Sequence, residues 1–183
     1  MKRTIVFLFL ALFLALSTQA FAQDKTKKET PTLRSILLEQ LKTTHNQKDW
    51  FVDANTAVAG LTPEQANWTD GHGNHSVGQL AYHLVYWNER SLAKFKGQTP
   101  AKFDGDNDAT FNQFDAKKWA DTVRRLDDVM TGLEKVVETA DERKLEEWAP
   151  TIARIGTHNA YHIGEIVMVR KEQGSWDASK GVK

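Results

Sequence analysis

The chain has 183 residues and not one cysteine. That absence removes disulfides, thiolate nucleophiles and every cysteine-based zinc site together. Proline is scarce, with four in the whole chain, so long helices meet few obligatory breaks. Charge of one sign is missing as well: 24 basic residues balance 24 acidic ones. No basic stripe of the kind a phosphate backbone selects is present, and nucleic acid is not an expected partner. Long hydrophobic runs are confined to one, Ile5 to Leu16. It follows Lys2 and Arg3 and precedes Ala20-Phe21-Ala22, a small-residue cleavage pattern. Residues 1–22 therefore read as a secretory signal peptide, too short in its apolar part for a comfortable membrane span. Without Lys2 and Arg3 the mature chain carries 22 basic against 24 acidic residues, a net charge of −2. The expectation is a secreted or periplasmic protein with no stable membrane anchor after cleavage. Lacking disulfides, it must be stabilised by a hydrophobic core.

What is present is helical periodicity. After a polar linker over residues 23–31, apolar positions recur at spacings of three and four from Thr32 to Ala59. They run through Leu33, Ile36/Leu37, Leu41, Thr44/His45, Phe51, Asn55 and Val58, and predict a first helix that Thr32 caps and Gly60 stops. Leu61 to His75 reads as a loop, with a turn of helix after Thr62-Pro63. The second helix opens on a capping box, Ser76 with Gln79, and its stripe is Leu80, His83/Leu84, Trp87, Ser91 and Phe95 before Gly97. A second loop follows, Gln98 to Thr110. Its Gly105–Asp108 stretch lacks the glutamate and ligand spacing of a calcium loop and reads as a solvated turn. The third helix, from about Asp115 to Thr139, carries Trp119, Val123, Leu126, Met130, Leu133 and Val137 on one face. The fourth is expected after Pro150, running to Gln173 with Gly174 as its stop and residues 175–183 as a tail. No strand pattern and no repeat competes. The fold class is all-α: a four-helix bundle over residues 32–174, its second connection long enough to let the second and third helices run parallel.

The chemistry gathers on histidine. His158 and His162, four apart, share one face of the fourth helix with Ile155, Ile166 and Val169. His83 sits on the apolar stripe of the second helix. An unpaired imidazole on each of these faces costs about 1–3 kcal/mol, and a single ion would satisfy all three. A set of three histidines leaves a coordination position open, as catalytic zinc sites do. A zincin protease is excluded because Asn159 stands where H-E-x-x-H needs its glutamate. A di-iron carboxylate bundle is excluded because no glutamate is followed three residues later by histidine. A site rich in nitrogen and poor in carboxylate favours zinc, nickel or ferrous iron.

These motifs resemble the DinB/YfiT-like superfamily. The features that carry the resemblance are Ser76-Val77 after a loop, the helix-two segment Ala81-Tyr82-His83-Leu84, the pattern His158-x-x-x-His162-x-Gly164-x-Ile166, and Arg170-x-x-x-Gly174. Together they cover residues 33–174. The resemblance implies a bundle of up-down-down-up connectivity and a divalent metal, zinc or nickel, on His83, His158 and His162. It also implies, in members of known activity, chemistry that depends on a low-molecular-weight thiol. Glu165 departs from the glutamine common after the glycine in relatives, which bears on the edge of the site. His45 has no counterpart in the three-histidine pattern. It is a candidate fourth ligand, or a base beside the metal. Glu165, three residues after His162, is a candidate to orient a ring or take a proton.

Two function classes follow. The first is an exported metalloenzyme acting on a small-molecule substrate, transferase-like with a thiol or hydrolase-like with water. The second is a non-catalytic metal-binding or stress-related small-molecule-binding bundle. A homodimer is compatible with either.

Overall fold

The computed structural model describes residues 30–181. The segment expected to be a signal peptide and most of the linker lie outside the described residues. From Pro31 onward the described chain forms one compact unit, all-helical, with no strand among the described residues. Four long helices build it: α1 (Leu33–His45), α4 (Val77–Phe95), α6 (Trp119–Thr139) and α7 (Glu142–Glu172). Three short ones, α2 (Ala54–Val58), α3 (Pro63–Asn67) and α5 (Ala109–Asn112), lie in the connections, with 3₁₀ turns at Ala116–Lys118 and Ala178–Lys180. None of the described helices is long and apolar enough to cross a membrane.

Local signals set the helix starts. Thr32, Thr62 and Ser76 each close a capping box, with Ser35, Gln65 and Gln79 as reciprocal partners. These side chains satisfy backbone donors that a helix cannot satisfy itself. At the far end of α7, Gly174 adopts φ +75°, a conformation costly for any residue with a Cβ. The turn lets the Ser175 amide donate to the Arg170 carbonyl.

Two expectations about helix limits are corrected. The helix predicted over 32–59 is two helices. The chain leaves the α-helix at Asn46, with φ −148°, while the amides of Asn46 and Gln47 both turn back to the Lys42 carbonyl. Asp53 then caps α2 afresh by accepting from the Thr56 amide. The stripe read through this break holds at Val58 only: Phe51 is exposed and Asn55 half-buried, while Val52, Ala54 and Ala57 enter the core in their place. The fourth helix begins at Glu142 rather than after Pro150, so the proline lies inside a 31-residue helix. An internal proline costs about 3 kcal/mol. Packing of the preceding two turns offsets it: Leu145 is fully buried, and Trp148 meets Phe95 edge-on with ring centroids 5.0 Å apart. Arg34 of α1 adds bonds to the Val137 and Ala140 carbonyls just before α7 starts.

The core lies in two clusters. One gathers Leu37, Leu41, Leu133, Val137, Leu145 and Ile152 from α1, α6 and α7. The other gathers Leu80, Leu84, Leu126, Met130, Ile163 and Ile166 together with α2 and α3. Leu92 packs against both. Side-chain pairs give the helix directions. Along α4 and α7, His83 meets His158, Asn88 meets Asn159 and Phe95 meets Trp148, so the two helices run opposite. Along α4 and α6, Glu89 meets Arg125 and Leu92 meets Gly132, so those two ascend together. Beyond Gly174 the chain folds back. Arg170, buried, donates to the Ala57, Ala59 and Ser175 carbonyls and lies over the Trp176 ring.

Candidate metal centre

The opposed run of α4 and α7 brings three imidazoles to one point. His83 projects from the second turn of α4, and His158 and His162 stack one turn apart on α7. The His158 Nε2 stands 3.2 Å from His83 Nε2 and 3.1 Å from His162 Nε2. One ligand atom from each of the three falls within 4.8 Å of the others, and among the described residues this is the group that could hold an ion. A tetrahedral ion with Zn–N bonds of 2.0–2.1 Å needs its nitrogens about 3.3 Å apart. The two spacings that His158 Nε2 makes, 3.2 and 3.1 Å, meet that requirement.

The hydrogen bonds behind the rings fix which nitrogen faces inward. Thr110 Oγ1 gives its proton to the Asn107 carbonyl at 2.6 Å, so toward His83 Nδ1, also at 2.6 Å, it accepts. His83 thus carries its proton on Nδ1 and turns a bare Nε2 lone pair to the cluster. His162 Nδ1 lies 2.6 Å from Glu165 Oε2, and a carboxylate accepts only. Its Nε2 is bare as well. The His158 Nε2–H can serve one of these lone pairs and not both, so the neutral cluster is left one positive centre short. A cation there would supply it, and the donor set fits a divalent metal.

Burial reinforces this polarity. His83 and His162 are buried and His158 is half-buried. Burial first, then the charges of His162 and His158, pushes His83 down to about 3. Burial and then His162 push His158 down to about 4. His162 is lowered by burial, with Glu165 working against it. His83 and His158 are therefore neutral, and able to ligate, well below neutral pH, and burial moves His162 in the same direction. Phe111 stacks on His83 at 3.9 Å between centroids and 7° between planes, and His75 stacks on the other face of Phe111 at 3.9 Å and 3°.

Cavities flank the cluster on both sides. One, of about 430 Å³, is lined by His75, Leu80, Glu165 and Glu172 near His162. The other, of about 350 Å³, is lined by Trp87, Ser91, Arg154 and Ile155 and reaches His158.

Of the residues singled out in the sequence, the structure brings together His83, His158 and His162, with Glu165 bonded to the outer nitrogen of His162. His45 lies elsewhere. It is fully buried between α1 and α6, with Nδ1 2.6 Å from Glu134 Oε1 and Nε2 2.9 Å from Asp127 Oδ1. Both ring nitrogens are engaged there, which leaves none for the histidine cluster. The fourth-ligand and base roles considered for it have no geometric support. His72 is exposed, whereas His75, at the end of the same loop, is half-buried in the ring stack. Thr110 and Phe111 were not singled out at all. The available signal was weak: Phe111, beside a threonine, is one of three phenylalanines, with Phe103 and Phe114, in a largely polar connection. Asn159, in the place of a zincin glutamate, is fully buried and accepts from Asn88 Nδ2 at 2.9 Å, inside the α4–α7 interface.

Comparison with curated proteins found no match, and comparison with solved structures found none either. A family model of the DinB superfamily matches residues 52–166, from just before α2 through both α7 histidines and Glu165. With its helical fold and a histidine triad fit for a metal, the chain belongs to the DinB superfamily.

Proposed function

We propose that this protein is an exported metalloenzyme whose divalent ion, zinc or nickel, is held by His83, His158 and His162. The observation that carries the reading is the pair of bare Nε2 lone pairs aimed at a third imidazole nitrogen 3.1–3.2 Å away. When bound, the ion supplies Lewis acidity that lets a thiol or a water lose its proton near neutral pH. Three histidines with no fourth histidine, aspartate or glutamate grouped with them among the described residues leave a coordination position for such a group. Thr110 and Glu165 hold the two flanking rings in the ligating tautomer. Glu165, whose side chain is 40% exposed and lines the cavity near His162, is placed to pass a proton between that cavity and the ring it orients. The substrate is a small molecule, attacked by a low-molecular-weight thiol or by water. Export rests on the N-terminal sequence, whose charged start, apolar run and Ala20-Phe21-Ala22 form a leader pattern.

Metal analysis of the chain purified after expression with its own N-terminal segment tests the reading. About one zinc or nickel per chain is expected in the secreted or periplasmic fraction. His158→Ala should lose it, and thiol-acceptor or ester turnover should stop with a chelator. If His158→Ala keeps the full metal content, the site is wrong. Turnover that survives both chelation and His83→Ala refutes a metal mechanism, and metal without turnover supports a purely binding role.

A further inference from the structure

We infer that the cavity beside His158 seats a substrate bearing a single carboxylate, and that Arg154 is the residue that selects it. This rests on reading the histidine triad as the reacting centre. The cavity, about 350 Å³, sits between α4 and α7 immediately next to the triad. Its walls lie one and two turns from the ligating residues: Trp87 and Ser91 follow His83 on α4, and Arg154 and Thr151 precede His158 on α7. Arg154 and His158 are four apart on one helix, with their Cβ atoms about 5–6 Å apart. A molecule reaching the triad from this side therefore meets the guanidinium about one helical turn away.

Arg154 is free to receive it. Most other arginines in the described chain are committed: Arg34, Arg124 and Arg125 to carboxylates, Arg170 to backbone carbonyls, Arg90 over the Tyr86 ring. Arg154 makes no hydrogen bond or ion pair among the described residues, is exposed, and lines this cavity. The planar fork matches a carboxylate through two parallel bonds. The other lining residues, Trp87, Asn88, Ser91, Thr151, Ile155 and His158, bring no second fixed cation. One guanidinium balances one negative charge, which favours a carboxylate over a doubly charged phosphate monoester. The cavity on the far side of the triad carries Glu165 and Glu172 and repels the same ligand. The two mouths thus set the direction of approach, with the acid end at Arg154 and the intervening carbons against the Trp87 ring.

The test uses the mature chain loaded with cobalt(II), titrated with 3-mercaptopropanoate and with its neutral isostere 3-mercaptopropanamide. The thiolate-to-cobalt absorption band reports binding. The acid should bind about tenfold more tightly than the amide, Arg154→Lys should keep part of that preference, and Arg154→Ala should abolish it at unchanged cobalt stoichiometry. Equal affinities in the unaltered chain, or a preference that survives in Arg154→Ala, overturn the inference. A second arm needs no ion. The metal-free chain is titrated with 3-phenylpropanoate and 3-phenylpropanamide while the Trp87 indole resonance, assigned with Trp87→Phe, is followed by NMR. A carboxylate preference that depends on Arg154 supports the inference even if cobalt fails to bind, a result that would refute only the metal reading. Absence of that preference overturns the inference.

Discussion

Thr110→Val asks whether one hydroxyl on the crossing loop sets the metal affinity of a ring on α4. The substitution keeps the shape of a buried side chain and removes the acceptor 2.6 Å from His83 Nδ1. In the unaltered chain that acceptor holds the proton on Nδ1 and keeps Nε2 bare. Without it the neutral ring can move its proton to Nε2 and bond His158 instead, a form that cannot ligate. The metal-bound form, which must keep Nδ1–H, would then bury an unpaired donor at a cost of about 1–3 kcal/mol. Loss of such outer hydrogen bonds weakens metal binding about 10- to 100-fold, equivalent to about 1.4–2.7 kcal/mol, and the two ranges agree. Zinc competition against a chromophoric chelator measures the change directly. Thr110→Ser keeps the hydroxyl and should stay within about threefold of the unaltered chain. Thr110→Val also loses its bond to the Asn107 carbonyl, so a thermal melt must show that the variant is folded. A folded Thr110→Val with unchanged zinc affinity would refute the assigned tautomer and with it the polarity of the cluster.

The metal-free fold should be acid-sensitive, because His83 and His158 fall from 6.5 to about 3 and about 4. Between those values and 6.5 the unfolded chain binds more protons than the folded one, so stability is intact above about pH 6.5 and is lost as pH falls below it. Melting temperature of the apo chain should therefore decline from pH 7 to pH 4.5, and less steeply in a His83→Phe, His158→Leu double variant. Equal slopes would contradict the assignment. In the α4 helix, a Cβ at Gly78 would stand 2.1 Å from the Phe114 ring, so Gly78→Ala should cost about 1–3 kcal/mol by overpacking, read from urea denaturation.

The triad was legible in the sequence because each of its histidines sits on an apolar stripe whose period survives folding, and the capping box at Ser76 fixed where α4 begins. The limits of the first and fourth helices were not. At Asn46 the three-and-four spacing continues in the sequence through Phe51, Asn55 and Val58 although Phe51 is exposed and Val52 takes its place in the core, so periodicity alone cannot reveal the bend. At Pro150 a strong local breaker is overruled by tertiary contacts, Leu145 and Trp148, that no local rule contains. His45 lay on the inward face of its helix, as its spacing suggested, yet that face meets Asp127 and Glu134 of α6 and not the triad. Thr110 and Phe111 were hidden for a different reason. They reach His83 from 27 and 28 residues away through a long connection, and their meaning exists only once α4 and that connection have met.

The buried amide pair Asn88–Asn159 has a consequence for how such a protein can diversify. Asn159 lies between the two α7 ligands in sequence, and its bond to α4 fixes both the roll of α7 about its axis and its slide along α4. Rotation or a one-turn slip would break this buried bond, and Asn159 Nδ2, which has no partner of its own, offers nothing in exchange. The ligand geometry is thereby locked by a residue that never faces the ion. Side chains to either side, Arg154 and Trp87 in one direction and Glu172 in the other, are free of that constraint. They can be exchanged without moving a ligand, so the scaffold separates the part that holds the reactive centre from the part that chooses what is brought to it.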